Sequence, residues 1–138
     1  MKVENAVYPK GEQLTETVAK GVNAQIVMLN LLKFKDRAVY KDGRADAASG
    51  REAYNRYGGD MLNFVKSHGG RVLFMGEVKS LVIGNVEEIW DAVALVEYPS
   101  SEAFVKIAMS PEVAKFGAHR EAGLAGQLLI QCLQGKAP

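Results

Sequence analysis

An α+β fold with a single antiparallel sheet is what the sequence predicts, and three observations predict it. Short apolar segments suited to strands alternate with helical stripes in the order strand, helix, strand, strand, helix, strand. The stretch Trp90 to Phe104 reads as a buried strand turning sharply into a helix. In it, an apolar run bounded by Asp91 and Pro99 is followed by Ser100 or Ser101, which can cap free backbone N–H groups, and by Glu102, which suits the positive end of the helix dipole. Finally, the strands are apolar at successive positions, so both of their faces need cover.

Residues 1 to 24 read as a peripheral extension. Tyr8-Pro9-Lys10-Gly11 is turn chemistry, and Glu12 to Lys20 forms a short helix pinned by Leu14 and Val18. Gln25 to Phe34 is a strand covered on both faces, with Asn30 its polar exception. Asp36 to Gly50 is a solvated connection. From Arg51 to Ser67 the spacing of Tyr54, Tyr57, Met61, Phe64 and Val65 marks one apolar helix face. Gly58-Gly59 interrupts that helix at about 1 kcal/mol per glycine, so a kink, a break or a close backbone approach is expected there. His68-Gly69-Gly70 ends it. Arg71 to Gly84 reads as a long strand with a bulge at Gly76, and Asn85 to Ile89 links it to the strand before Pro99. The following helix continues through Met109 and restarts at Ser110-Pro111-Glu112, an N-cap with proline at the first helical position. Gln127 to Leu133 is the last strand. The expected organisation is an extension over 1–24, one domain over 25–134 and a frayed tail over 135–138.

That order is the split β-α-β of a ferredoxin-like sandwich with both helices on one face of the sheet. Two helices cover only one face, yet in the first strand Val27, Leu29 and Leu31 alternate with Ile26, Met28 and Leu32. An exposed apolar sheet is an interaction site. The expectation is therefore a homodimer with two sheets face to face through the open sheet face, a dimeric α+β barrel.

A chain of 138 residues fits one domain. Its 17 basic and 16 acidic residues leave a net charge of +1 with no long run of one sign, which speaks against nucleic acid or an anionic membrane as partner. Cys132 is the one cysteine, so an intrachain disulfide is excluded. The first ten residues lack the apolar core of a secretory signal, and no apolar run approaches the ~20 residues of a membrane span, so a cytoplasmic location is expected.

Strong catalytic signatures are absent: there is no phosphate-binding loop, His-Glu-x-x-His, paired Cys or Gly-x-Ser-x-Gly. A metal site would need His68 or His119 with Glu97 or Asp91, and nothing in the spacing demands one, so neither metal nor cofactor is expected. His119-Arg120 near a helix C-terminus is either a cap for the dipole or a pair in which Arg120 binds a carboxylate and His119 moves a proton. Asn30, Asp91 and Glu97 are polar residues on apolar strands and need partners or a wet cavity. Asp91 and Glu97 share strand parity. Either Asp91 begins the strand and Glu97 pairs with Arg71 or Arg120, or both line a polar pocket. Trp90, Tyr54, Tyr57 and Tyr98 line a pocket for a planar ligand or are core. The candidates are thus His119, Asp91 and Glu97 for catalysis, and Asn30, Tyr54, Trp90 and Arg120 for substrate binding.

Several stretches, in this order, resemble the DUF1330 domain: Val27 to Phe34, Tyr54-x-x-Tyr57-Gly58, Gly69 to Leu73, Trp90-Asp91, Val96 to Ser100 with Ala103-Phe104, Ser110-Pro111-Glu112, and His119-Arg120. The resemblance implies a dimeric ferredoxin-like fold, in the superfamily of small cofactor-free monooxygenases and haem-degrading proteins. It supplies no biochemical function. The functional expectation is a small-molecule-binding dimer, with a cofactor-independent, monooxygenase-like enzyme for a small planar or carboxylate-bearing substrate as its enzymatic form. The alternatives are a binding or assembly module without chemistry, and a haem-binding protein with His119 as iron ligand.

Overall fold

The computed structural model describes residues 1–21 and 23–135; beyond Gly135, the tail expected over 135–138 lies outside them. Eight elements follow one another: α1 (Gly11–Gly21), β1 (Ile26–Phe34), α2 (Gly50–Ser67), β2 (Arg71–Glu77), β3 (Ala92–Tyr98), α3 (Ser101–Ala108), α4 (Pro111–Gly123) and β4 (Leu124–Leu133). The four strands form one antiparallel sheet in the order β2-β3-β1-β4, the ferredoxin-like arrangement. Three helices rather than two follow the strands, because Ser110 caps a new helix on the N–H of Val113, with Pro111 at its start. Ser100 caps α3 in the same way, through the N–H of Ala103.

Strand parity decides which side chains meet the helices. Ile26 and Met28 of β1 pack with Tyr98, Val65, Phe104 and Ile107 in the main core, so even-numbered β1 residues face the helices. Register places Val96 and Ala94 of β3, and Leu129 and Gln127 of β4, on that same side. The odd-numbered residues Val27, Leu29 and Leu31, with Leu95, Val93, Leu128 and Ile130, form the other face.

Three expectations need correction. The bulge expected at Gly76 falls instead between Val72 and Phe74, and Gly76 pairs in register with Val93. The strand expected over Arg71–Gly84 ends at Glu77, which pairs with Ala92, the first residue of β3. Among the described residues no strand pairs with the segment beyond it, and Leu81, Val82 and Ile83 stand 45%, 88% and 89% exposed in a loop. Helix α2 runs unbroken through Gly58-Gly59, and a Cβ at either glycine would meet nothing within 4 Å. A capping box, in which Ser49 accepts from the N–H of Glu52 while the Glu52 carboxylate accepts from the N–H of Ser49, starts the helix firmly enough to carry both. Gly58→Ala and Gly59→Ala should therefore each raise stability, by about 0.5–1 kcal/mol, read as a higher urea midpoint with unchanged slope.

Candidate functional site

A row of aromatic rings runs between β1, α2 and α4. Phe34 lies 5.3 Å from Tyr54, Tyr54 5.4 Å from Tyr57, and Tyr57 6.0 Å from Phe116, measured between ring centroids. The end of α4 approaches the start of α2 closely enough to make this possible. A Cβ on Gly123 would run into the carbonyl oxygen of Gly50 and lie 2.8 Å from the backbone nitrogen of Tyr54, so only glycine permits the contact. Tyr98 of β3 joins from the sheet, set edge-on against Phe104 at 5.1 Å.

The hydroxyls of Tyr54, Tyr57 and Tyr98 have no hydrogen-bond partner among the described residues, and none of the three is sealed away from solvent-sized space. Burial pushes all three phenols above the ordinary tyrosine range. For Tyr98 the neighbouring Tyr57 and Tyr54 push further in the same direction, whereas Arg120 pulls Tyr54 and Tyr57 back. Tyr54 and Tyr57 keep some accessible surface despite this desolvation. The phenols are protonated hydrogen-bond donors at neutral pH. Their folded-state pKa values lie above the unfolded value of about 10, so above that pH the unfolded chain loses protons that the folded chain keeps, and stability falls as pH rises. Absorbance at 295 nm should show Tyr54, Tyr57 and Tyr98 ionising only together with unfolding.

A chain of side-chain amides leads from Arg120 into the sheet. Arg120 Nη2 donates to Gln127 Oε1 at 2.7 Å, Gln127 Nε2 to Asn30 Oδ1 at 2.8 Å, and Asn30 Nδ2 to the carbonyls of Ala94 and Met28, both at 3.3 Å. Arginine only donates and a carbonyl only accepts, so both ends fix the direction and each amide has one orientation. The charge at one end polarises the chain. Gln127 is 8% exposed, and its register position puts it on the helix side with Asn30. Four donors of Arg120 remain beside its bond to Gln127.

A second network lies on the outer side of α2 and α4. Asp46 pairs with Arg56 at 2.8 Å, Arg56 donates to the Tyr40 hydroxyl at 2.9 Å, and that hydroxyl stands 2.7 Å from Nδ1 of His119. It pins the 36–49 connection to the helices, aided by backbone bonds from Ala38 to Ala48 and from Val39 to Ala122.

Of the residues singled out in the sequence, Asn30 and Arg120 are linked through Gln127, and Tyr54 stands in the aromatic row. His119 follows Arg120 on α4 but is held by Tyr40 through its Nδ1. Trp90 donates from Nε1 to Asn5 Oδ1 at 2.7 Å. Asp91 accepts from the backbone N–H of Phe34 at 2.8 Å and pairs with Lys33 at 3.3 Å, which ties the end of β1 to the entry of β3. Glu97, 7% exposed, pairs with Arg71 at 2.8 Å on the face away from the helices, so of its two candidate partners it takes Arg71. Gln127, absent from the candidates, carries the same signal as Asn30, an amide on an apolar strand. Elsewhere, a depression of about 470 Å³ between α2 and α4 is lined by Phe64 and Phe116, with Asp60 and Glu112 among its polar groups. Those carboxylates make it a poor seat for an anion. Among the described residues no group of three or more His, Cys, Asp or Glu side chains is placed to hold a metal ion, and no helix is long and apolar enough to cross a membrane.

Comparison with known proteins gives the following. The sequence model of a domain of unknown function, DUF1330, matches residues 44–131. The crystal structure of RPA0582, a protein of unknown function from Rhodopseudomonas palustris, superposes with a TM-score of 0.86 at 32% identity, over 97% of this chain and 100% of that one. Its methylated form gives 0.87 at 34% identity, over 97% and 98%. No curated protein matches the chain.

Proposed function

The chain belongs to the DUF1330 family, and from that premise we propose that it is a homodimer that binds a small planar molecule bearing a carboxylate or another anionic oxygen. One observation carries the ligand: the phenols of Tyr54 and Tyr57, whose hydroxyls have no hydrogen-bond partner among the described residues, lie within electrostatic reach of Arg120. A ligand anion accepts hydrogen bonds from these hydroxyls and from the guanidinium at once. Arg120 supplies the charge and the amide chain to Asn30 holds it in place, while Tyr54, Tyr57 and Phe34 offer ring surface to a flat ligand. In the enzymatic form of this reading the same donors stabilise an oxyanion formed without a cofactor. His119 then carries the proton on Nε2, since Tyr40 engages its Nδ1, while Asp91 and Glu97 fix the strands.

The dimer rests on the second sheet face. Phe74 and Ile130 are 53% and 43% exposed there, and they flank the apolar positions of β1 and β3. Two such faces packed together remove this surface from water.

Sodium benzoate is a suitable probe. It should raise the thermal midpoint of the protein, neutral benzamide should not, and light scattering should give twice the chain mass. Equal responses to benzoate and benzamide would remove the anion site from this account.

A further inference from the structure

The N-terminal segment precedes the family match, which begins at residue 44, yet it is tethered to the rest of the fold at four points. Ala6 exchanges two backbone hydrogen bonds with Gln127, at 3.1 and 2.8 Å, on the free edge of β4. Gln127 is also the residue whose side chain receives Arg120. Asn5 accepts from Trp90. Gly126 lets the segment come close, because a Cβ there would lie 2.7 Å from the Cβ of Asn5. The ring of Tyr8 stands 5.5 Å from the Arg120 guanidinium. A terminus with no role would fray.

From this geometry we infer that residues Asn5 to Tyr8 form part of the ligand site, with Tyr8 the positioning residue for Arg120. The inference rests on the reading of Arg120 as the anion-binding group. A guanidinium held along one edge by Gln127 and over one face by an aromatic ring has lost most of its freedom to swing into solvent. Its remaining N–H groups keep one orientation, and the ligand does not have to order them.

The test measures benzoate affinity on the full-length protein by calorimetry, with the emission of Trp90, the one tryptophan of the chain, as a second readout. Tyr8→Ala should weaken benzoate by about three- to fivefold, the loss of one partly exposed cation–π contact. Tyr8→Phe should keep wild-type affinity, because the ring and not the hydroxyl acts on Arg120. Gly126→Val leaves Tyr8 and Arg120 intact and should weaken benzoate similarly, while its Trp90 emission changes as the indole loses Asn5. Wild-type affinity in Tyr8→Ala, or a Tyr8→Phe variant as weak as Tyr8→Ala, overturns this inference alone. A wild-type protein that ignores benzoate overturns the anion site itself, and this inference with it.

Discussion

Arg120→Ala is expected to abolish benzoate binding and to destabilise the fold. The binding loss follows from charge: hydrogen bonds to an ionised partner contribute about 1.5–3 kcal/mol, so their removal weakens the ligand by roughly ten- to more than a hundredfold. The stability loss has a separate origin. Gln127 Oε1 takes its hydrogen bond from Arg120 at 2.7 Å in a residue only 8% exposed, and truncation leaves that oxygen unpaired at a cost of about 1–3 kcal/mol. Arg120→Lys should restore little of either effect, because a single ammonium cannot grip Gln127 and present a planar fork to the ligand together. Calorimetry with benzoate and urea denaturation of the same variants separate the two losses. A variant that keeps its stability but loses the ligand would mean that Gln127 finds another partner, and the amide chain would then play no part in holding the site.

Leu29→Glu is expected to split the dimer. Leu29 lies at the middle of β1, opposite Leu95 of β3 and Ile130 of β4, on the face that no helix follows. In a face-to-face pair the new carboxylate would be removed from water without a partner, at a cost of several kcal/mol per ion, and its symmetry mate would bring a second. In an isolated chain the same position borders solvent, so the fold itself should survive. Light scattering should therefore report the monomer mass while far-ultraviolet circular dichroism stays as in the wild type. An unchanged mass at micromolar concentration would show that this face is not where two copies meet.

How much of this was legible in the sequence depends on the range of the interaction involved. The helix α4 start is local, written in Ser110-Pro111-Glu112, and the sequence shows it directly. The end of β2 is not local: Val78 to Ile83 is as apolar as a strand, but pairing runs out once the Val78 N–H has met the carbonyl of Asp91, just before β3 begins at Ala92. Gly58-Gly59 reads as a weak point by propensity, and the helix crosses it because packing by Met61, Phe64 and Val65 outweighs about 2 kcal/mol of intrinsic cost.

The site follows the same rule. Asn30 is visible as an amide among apolar neighbours, whereas its partnership with Gln127 depends on the β1–β4 register, across 97 residues of chain. Asp91 lies just before β3, bonded to the N–H of Phe34, and for Glu97 parity alone does not say which face meets the helices. That is decided by the packing of Ile26 and Met28. Tyr8 carries no local signal at all, since only the bridge between Ala6 and Gln127 brings it to Arg120.

The most direct measurement of the central claim is a benzoate titration of uniformly nitrogen-15-labelled protein followed by nuclear magnetic resonance. The Arg120 Nε–H and the side-chain amides of Gln127 and Asn30 are predicted to move together with a single dissociation constant, while the backbone amide of Leu29 on the opposite face stays still. Shifts confined to the depression around Asp60 and Glu112, with the Arg120, Gln127 and Asn30 signals unmoved, would contradict the account.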